Sequence, residues 1–234
     1  MNIIPTKTSK NSSRSILIAA LISLILICCG KGDELKPARS AIMFIHASPG
    51  LPAIDLFIDG NRINGDSMIS YTDTIPYKFT NSGPQTFTVK KQISSITYVS
   101  KAYILKKDKH YSFFVTGRPD SVTHVITEDE LIAPAPGKAK LRFLNMSPDS
   151  KSLDFRLVSP AILFTDIPFK CGSDFVAVDP GKYSMGIYEK GGNIALAQQN
   201  LDIEAGKFYT VWVRGMKDSP DPAHATSLQM IAVK

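Results

Sequence analysis

The sequence lacks the short motifs by which common catalytic and metal sites are recognised. It contains no G-x-S-x-G elbow, no glycine-rich phosphate loop and no C-x-x-C pair. Its histidines show neither the H-x-H nor the H-E-x-x-H spacing of a local zinc site; they stand apart at His46, His110, His124 and His224. We therefore expect no enzyme, no metal and no cofactor. A hydrolase whose site is not visible in sequence is the alternative.

A concentrated block of one charge is also missing. The formal net charge is +6 at pH 7, but basic residues adjoin only in short pairs such as Lys90-Lys91 and Lys106-Lys107. Proteins that bind nucleic acid usually carry a basic patch or stripe. We expect no nucleic-acid partner.

The apolar run near the N terminus is too short to span a membrane. It extends from Ile16 to Ile27, whereas a spanning helix needs about 20 residues. The residues before it include Lys7, Lys10 and Arg14 and no acid. A basic start followed by a short apolar run is typical of a secretion signal, which we assign to residues 1–28. The alternative is an uncleaved anchor helix.

Two adjacent cysteines end this run, in the sequence Leu26-Ile27-Cys28-Cys29. The stretch resembles the bacterial lipobox, in which an aliphatic residue and then a small residue precede a lipidated cysteine. With Cys29 as the acceptor, Cys28 supplies the small residue; with Cys28 as the acceptor, the bulky Ile27 would occupy that position. The resemblance therefore implies a lipid anchor on Cys29, with the membrane as a partner.

A short charged segment follows the predicted acceptor, and we assign residues 29–39 to a tether. Its start, GKGDE at 30–34, resembles the export signals of surface lipoproteins in the Bacteroidetes; the alternative is a solvated spacer. The implied location is the outer membrane, on either the cell surface or the periplasmic side. After processing only Cys171 keeps a thiol, so no internal disulfide can form. We expect Cys171 to be a small, half-buried residue rather than a nucleophile.

The remainder of the chain repeats itself with a period near one hundred residues. IMFIHASPGLPAIDLFI at 42–58 returns as LRFLNMSPDSKSLDFRL at 141–157, and LKKDKHYSFFVTG at 105–117 returns as IEAGKFYTVWVRG at 203–215. Between these blocks, Ile75-Pro76-Tyr77 resembles Ile167-Pro168-Phe169. The period is close to the size of one β-sandwich. We infer a duplicated domain.

Short runs of β-branched and aromatic residues between turn residues predict an all-β fold. We place one sandwich at 40–130, a Pro- and Gly-containing linker at 131–138 and a second sandwich at 139–234. Alternation along one strand puts Tyr111, Phe113 and Val115 on its inner face. The same pattern assigns Tyr209, Val211 and Val213 to the inner face of the second copy.

The repeated Ser-Pro pairs predict structural corners, because proline cannot donate to a sheet ladder and keeps the preceding residue extended. These pairs are Ser48-Pro49 and Ser147-Pro148. A hydroxyl before proline can bond to nearby backbone, and Asp55 or Asp154 could hold the same loop. A calcium role is disfavoured, since calcium takes six to eight oxygen ligands and only one acid per copy recurs here.

The stretch IHASPGLPAIDLFIDG at 45–60 resembles the bacterial family named domain of unknown function 4397, which occurs on exported proteins and often in tandem. AGKFYTVWVRG at 205–215 resembles a later strand of the same family. The second copy departs from the pattern, with Asn145 in place of His46. The resemblance implies immunoglobulin-like or transthyretin-like sandwiches and no established activity, and it gives His46 no role.

These observations favour a non-catalytic envelope lipoprotein that displays two sandwiches for binding or structural interaction. One alternative is a glycan-binding surface module. In that case Phe208 and Trp212 would lie exposed on the outer face of one strand and bind sugar rings. The competing interpretation is that they cover a contact between the domains or lie under a loop. Another alternative is an assembly subunit whose edge strands pair with another chain.

Overall fold

The computed structural model describes residues 38–157 and 162–233. The predicted signal at 1–28, the acceptor Cys29 and the tether up to residue 37 lie outside the described residues. The prediction of an all-β protein is confirmed. Within the described ranges the chain forms sixteen strands and one short 3₁₀ helix, Pro222–His224.

The first eight strands form a sandwich of two four-stranded sheets. They are Arg39–His46 (β1), Ile54–Ile58 (β2), Asn61–Arg62 (β3), Thr74–Asn81 (β4), Gly83–Lys91 (β5), Thr97–Leu105 (β6), His110–Arg118 (β7) and Ser121–Asp129 (β8). One sheet has the order β4-β1-β7-β8 and the other β3-β2-β5-β6. Neighbouring strands are antiparallel except β1 and β7, which are parallel.

The last eight strands repeat this topology. They are Ala139–Asn145 (β9), Leu153–Leu157 (β10), Ile162–Ile167 (β11), Val176–Val178 (β12), Gly181–Glu189 (β13), Ala195–Ile203 (β14), Phe208–Arg214 (β15) and Ser227–Ala232 (β16). The sheets have the orders β12-β9-β15-β16 and β11-β10-β13-β14, and β9 is parallel to β15. The duplication seen in the sequence is thus a duplication of the whole sandwich.

The number of strands per sheet differs from that of an immunoglobulin constant domain. Such a domain has four strands in one sheet and three in the other, whereas each sandwich here has four strands in each sheet. Both copies also contain a tyrosine corner: Tyr111 Oη accepts from the Lys106 N–H, and Tyr209 Oη accepts from the Glu204 N–H, each at 3.0 Å.

One part of the predicted repeat is wrong. Ile75 lies in β4 and pairs with Phe44, whereas Ile167 lies in β11, in the other sheet, and pairs with Leu153. The residue equivalent to Ile167 is Ile69, which bridges Ile54 as Ile167 pairs with Leu153. The two Ile-Pro segments resemble each other, but aligning them breaks the constant spacing that relates the flanking repeat blocks. That spacing holds through the middle of the copy and relates Ile167 to Ile69.

Each sandwich has its own apolar core between its two sheets. In the first, Phe44 packs against Phe113 with ring centroids 5.6 Å apart; in the second, Phe143 stacks on Phe155 at 4.9 Å. The predicted inner faces are confirmed: the first core contains Tyr111, Phe113 and Val115, and the second contains Tyr209, Val211 and Val213.

The two sandwiches belong to one compact unit, Ala38–Lys234. β8 ends at Asp129 and β9 begins at Ala139, so a connection of nine residues joins them. A third apolar cluster lies between the β4-β1-β7-β8 sheet and the β12-β9-β15-β16 sheet. The unit is therefore a stack of four sheets separated by three apolar layers.

Candidate functional site: the interface between the sandwiches

The outer faces of the two central sheets meet in an apolar layer, because β1, β7, β9 and β15 carry apolar residues on both faces. Ile42 and Phe44 point into the first core, while the alternate residues Met43 and Ile45 point out of it. The buried members of this interface cluster are Met43, Ile45, Ala47, Phe114, Leu144, Met146 and Trp212. Strands buried on both faces explain why the sandwiches stay together.

An ion pair crosses the interface beside this cluster. Arg142 Nη2 lies 2.7 Å from Asp129 Oδ1, and their side chains are 4% and 0% exposed. Asp129 comes from the end of β8 in the first sandwich, and Arg142 from β9 in the second. Asp129 Oδ2 also accepts hydrogen bonds from Ser112 Oγ at 2.6 Å and from Tyr77 Oη at 2.5 Å. Arg142 Nε donates to Thr210 Oγ1 at 2.9 Å.

Burying two charges is expensive unless they are paired and their remaining polar atoms are hydrogen-bonded. Both conditions hold here, since the carboxylate oxygens of Asp129 and the guanidinium of Arg142 have several partners. Removing either member of such a pair typically costs about 3–5 kcal/mol. The pair therefore disfavours any relative position of the sandwiches that would separate Asp129 from Arg142.

The phenol of Tyr77 takes part in the same network. Burial raises the pKa of Tyr77 far above its usual value, and the negative charge of Asp129 raises it further. Tyr77 therefore stays protonated and remains a donor to Asp129.

Further contacts join the sandwiches away from the ion pair. Thr116 Oγ1 donates to the Met146 carbonyl at 2.8 Å, and Gln229 Nε2 donates to the Thr72 carbonyl at 3.2 Å. The Arg214 guanidinium lies 5.6 Å from the centre of the Tyr71 ring. These bonds extend the interface from β7 to β16.

The alternative in which Phe208 and Trp212 are exposed is wrong, and the competing interpretation, that they cover the inter-domain contact or lie under a loop, is confirmed. Trp212 is 0% exposed and Phe208 is 2% exposed. Trp212 packs edge-to-face on Phe114 of the other sandwich, with centroids 5.9 Å apart, and Phe208 is covered by Phe175 at 5.6 Å. Both side chains do lie on the outer face of β15, but the other sandwich or a loop covers that face. They do not form a platform for sugars.

Ser48 and Ser147 close equivalent corners of the two sandwiches. Ser48 Oγ donates to the Gly117 carbonyl at 2.7 Å, and Ser147 Oγ donates to the Gly215 carbonyl at 2.8 Å. Both serines are fully buried. A Cβ on Gly117 would lie 2.4 Å from a backbone oxygen and one on Gly215 only 2.2 Å, so both corners need glycine. The prolines start the loop to the next strand: Pro49 and Pro148.

His46 and Asn145 share a structural role at these corners, a role that the family resemblance did not assign to His46. The Ser48 N–H donates to His46 Nδ1 at 3.4 Å, and the Ser147 N–H donates to Asn145 Oδ1 at 3.1 Å. Burial lowers the pKa of His46 to about 4, so the ring is neutral at physiological pH. With its proton on Nε2, which lies 3.5 Å from the Pro52 carbonyl, Nδ1 is free to accept.

The two repeated aspartates hold loops other than the Ser-Pro corners. Asp55 Oδ1 accepts from Arg62 at 2.5 Å and from Asn64 Nδ2 at 3.0 Å, which ties β2 to the segment around β3. Asp154 accepts from Thr165 Oγ1 at 2.7 Å and from the Gly191 N–H at 3.1 Å.

The environment of Asp154 also determines its ionisation. Burial opposes the charged form, but hydrogen bonds from Thr165, Arg156 and the backbone outweigh it and hold the pKa of this carboxyl well below its usual range. Asp154 is therefore ionised at neutral pH and satisfied by protein donors. Its contacts among the described residues are structural.

The remaining cysteine is more accessible than expected. Cys171 is exposed rather than half-buried. Among the described residues no group of three or more His, Cys, Asp or Glu side chains is arranged to hold a metal ion. No helix in the described ranges is long and apolar enough to cross a membrane.

A cleft of about 290 Å³ opens beside the interface ion pair. Its walls carry charges of both signs, including Glu130, Lys140 and Asp174. The Arg142 guanidinium lies 4.6 Å from the centre of the Phe175 ring at its edge. The lining combines these charged residues with Leu144 and Phe175, and it contains no histidine or cysteine.

Sequence reasoning missed the residues of the interface network. A charged residue in a strand that is otherwise apolar, as Arg142 is within LRFLN, could have indicated a buried ionic contact. Its partner could not be named from the sequence, because Asp129 comes close to Arg142 only when the two sandwiches pack together.

The fold and the interface define a class: an all-β protein of two duplicated β-sandwiches joined through buried outer faces. The chain belongs to the family described as "Domain of unknown function (DUF4397)", whose sequence model matches residues 40–156. The match covers the first sandwich and the start of the second. No curated protein matches the chain.

Solved structures give distant similarities. The Bacillus anthracis TIE protein is 10% identical over 76% of this chain, with a TM-score of 0.26, and the chain spans only 34% of that protein's length. A family CBM26 module from Eubacterium rectale Amy13K, solved with maltoheptaose, is 12% identical over 83% of this chain and 95% of its own, with a TM-score of 0.26.

A third structure, titled "Alpha-glucan binding by a streptococcal virulence factor", is 8% identical over 78% of this chain and 95% of its own, with a TM-score of 0.23. These scores are too low to establish a shared fold. We take no function from any of the three.

Proposed function

We propose that the protein is a non-catalytic lipoprotein of the cell envelope, anchored in the outer membrane through Cys29, whose joined sandwiches act as a rigid structural or binding element. The observation that carries the proposal is the buried Asp129–Arg142 pair between the sandwiches, with side chains 0% and 4% exposed. A pair that is costly to separate suits a protein that presents its two domains in one orientation.

The connection between the sandwiches could not maintain that orientation alone. It contains nine residues, 130–138, without a strand, and a linker of this composition is at most semi-rigid. The interface cluster and the polar network supply the remaining constraint. The proposed role is therefore to hold a fixed distance and orientation above a membrane.

The proposed anchor rests on the sequence: a basic start, a short apolar run and a cysteine at the lipobox position. Stable membrane attachment needs more than one acyl chain, and the modification implied by the lipobox supplies several. Whether the sandwiches face the medium or the periplasm is decided by protease treatment of intact cells.

The burial of Phe208 and Trp212 argues against glycan capture through these residues. Exposing Trp212 would require the sandwiches to separate, and that would uncover the interface cluster and break the ion pair. The envelope partner that we propose is therefore one that recognises the outer surfaces of the joined unit.

The anchor is tested by expressing the full chain in a bacterial host fed with labelled palmitate. We expect the wild type to incorporate label and to sediment with membranes, and Cys29→Ser to lose both properties. Cys28→Ser and Cys171→Ser are the matched controls and should keep them. Labelling that survives Cys29→Ser, or that is lost in Cys28→Ser, would refute the assignment of Cys29.

A further inference from the structure

The duplication gives each sandwich an equivalent edge strand, and the two edge strands differ in charge at one equivalent position. β6 closes one sheet of the first sandwich and β14 closes the equivalent sheet of the second. Lys101 in β6 lies opposite Phe87, and Gln199 in β14 lies opposite Met185. Directly opposed residues point to the same face, and Phe87 and Met185 belong to the cores. Lys101 and Gln199 therefore both lie on the inward face of an edge strand, where their side chains remain exposed at the open edge.

An inward-pointing charge at a sheet edge is a known device against edge-to-edge pairing, because a second strand that docked there would bury the charge. Lys101 provides this protection on β6. Gln199 does not provide it on β14, since an amide is neutral and can both donate and accept hydrogen bonds. The two copies thus differ in edge protection at one equivalent position.

Apart from Asp202 near its end, the rest of β14 is equally unprotected. Residues 195–201, ALAQQNL, contain no charge and no proline, and the strand is nine residues long. By contrast, the edge strand β4 contains Pro76, and Lys78 Nζ donates to the Ile63 carbonyl at 2.9 Å across the open side of the sandwich. The edge strand β12 has only three residues.

We propose that β14 is a self-association edge, which pairs antiparallel with β14 of a second copy and joins two sheets into one. An identical strand related by a two-fold axis is a natural partner, because each residue then meets its counterpart symmetrically. Residues 195–201 are neutral, so no like charges oppose one another within this segment. The exposed amides of Gln198, Gln199 and Asn200 supply hydrogen bonds across the pair.

An apolar side chain beside the edge supports the same inference. Ile194, immediately before β14, is 85% exposed, and a paired strand would cover part of it. A single strand pair is smaller than a standard protein interface of about 1,600 Å². The association is therefore weak and depends on concentration, and it does not depend on the proposed role of Cys29.

The test is sedimentation equilibrium of the purified full chain in density-matched detergent over a hundredfold range of concentration. We expect the wild type to show a reversible monomer–dimer equilibrium. Gln199→Lys, which copies the protected edge of the first sandwich, should weaken dimerisation by at least about tenfold, because a strand docked at this edge would bury the new charge. Gln199→Glu should act in the same direction.

Asn193→Lys, in the turn before β14, is the matched control for charge and should leave the equilibrium unchanged. The reverse change, Lys101→Gln, opens the equivalent edge on the first sandwich and should produce species larger than a dimer. A wild type that stays monomeric, a dimer unaffected by Gln199→Lys and Gln199→Glu, or a dimer also lost in Asn193→Lys would overturn the proposal. Capture of a different protein by β14, with no self-association, would also overturn it.

Discussion

Replacing Asp129 with asparagine removes one charge from the interface while keeping nearly the same shape. The asparagine oxygen can still accept from Ser112 or Tyr77, but the Arg142 guanidinium is left buried without a counter-charge. We therefore expect Asp129→Asn to lower the free energy of unfolding by about 3 kcal/mol, at the lower end of the cost of breaking a buried pair. For a unit of this size, that corresponds to a fall in Tm of about 6–12 °C.

The neighbouring residue on the same strand provides the control. Glu128 is paired with Lys106 and Lys109, each at 2.9 Å, and all three side chains are partly exposed. Exposed ion pairs contribute about 0–1 kcal/mol, so Glu128→Gln should change the free energy of unfolding by less than about 1 kcal/mol. The two variants make the same chemical change one residue apart.

The coupling energy between Asp129 and Arg142 is obtained from urea unfolding of four proteins. These are the wild type, Asp129→Asn, Arg142→Met and the double variant that carries both changes. Arg142→Met in the Asp129→Asn background removes the unpaired charge and should restore at least about 1 kcal/mol relative to the sum of the two single losses. The reasoning fails if Asp129→Asn is no worse than Glu128→Gln. It also fails if the two single losses add without any coupling.

Two further predictions concern buried side chains outside the ion pair. His46 has an ordinary pKa of 6.5 and a pKa of about 4 in the folded protein. As the pH falls through this interval, the unfolded chain binds the proton before the folded protein does, so the free energy of unfolding decreases. Between pH 7 and pH 5 we expect this group to lower it by about 2 kcal/mol. His46→Asn, which copies Asn145 at the equivalent corner, should remove that loss in urea titrations at the two pH values, and an unchanged pH dependence would contradict the burial argument. Trp212→Ala should lower the free energy of unfolding by about 3–5 kcal/mol and Trp212→Phe by less, as measured by thermal unfolding; a Trp212→Ala variant as stable as the wild type would mean that the residue is not buried in solution.

The alternation of residues was enough to predict the inner faces. Tyr111, Phe113 and Val115 recur at a period of two, and the corresponding residues of the second copy do the same, so each core could be assigned from one strand. The strand order could not be predicted in this way, because it depends on which strands meet after the chain has crossed between sheets.

The sequence also contained a sign that the outer faces of the central strands are buried. AIMFI at 41–45 and FYTVWV at 208–213 are nearly continuous apolar runs, and such runs are typical of strands buried on both faces. Treating the outer face as solvent-exposed made Trp212 a candidate for ligand binding. The apolar residues on that face instead indicated a second layer of packing.

The polar network was beyond the reach of sequence patterns. Asp129 and Arg142 lie at opposite ends of the connection between the sandwiches, and no local motif links a carboxylate to a guanidinium thirteen residues away on another sheet. Their contact depends on the tertiary stacking of two separate cores. The Ser-Pro corners were predicted as corners because proline acts locally, whereas the carbonyls that receive the serine hydroxyls come from a distant strand.

The central claim, that the two sandwiches form one rigid body, is tested most directly by ¹⁵N relaxation of backbone amides in both sandwiches of the full chain. We predict a single rotational correlation time shared by the amides of β1–β8 and β9–β16. Separate, shorter correlation times for the two sandwiches would contradict the account.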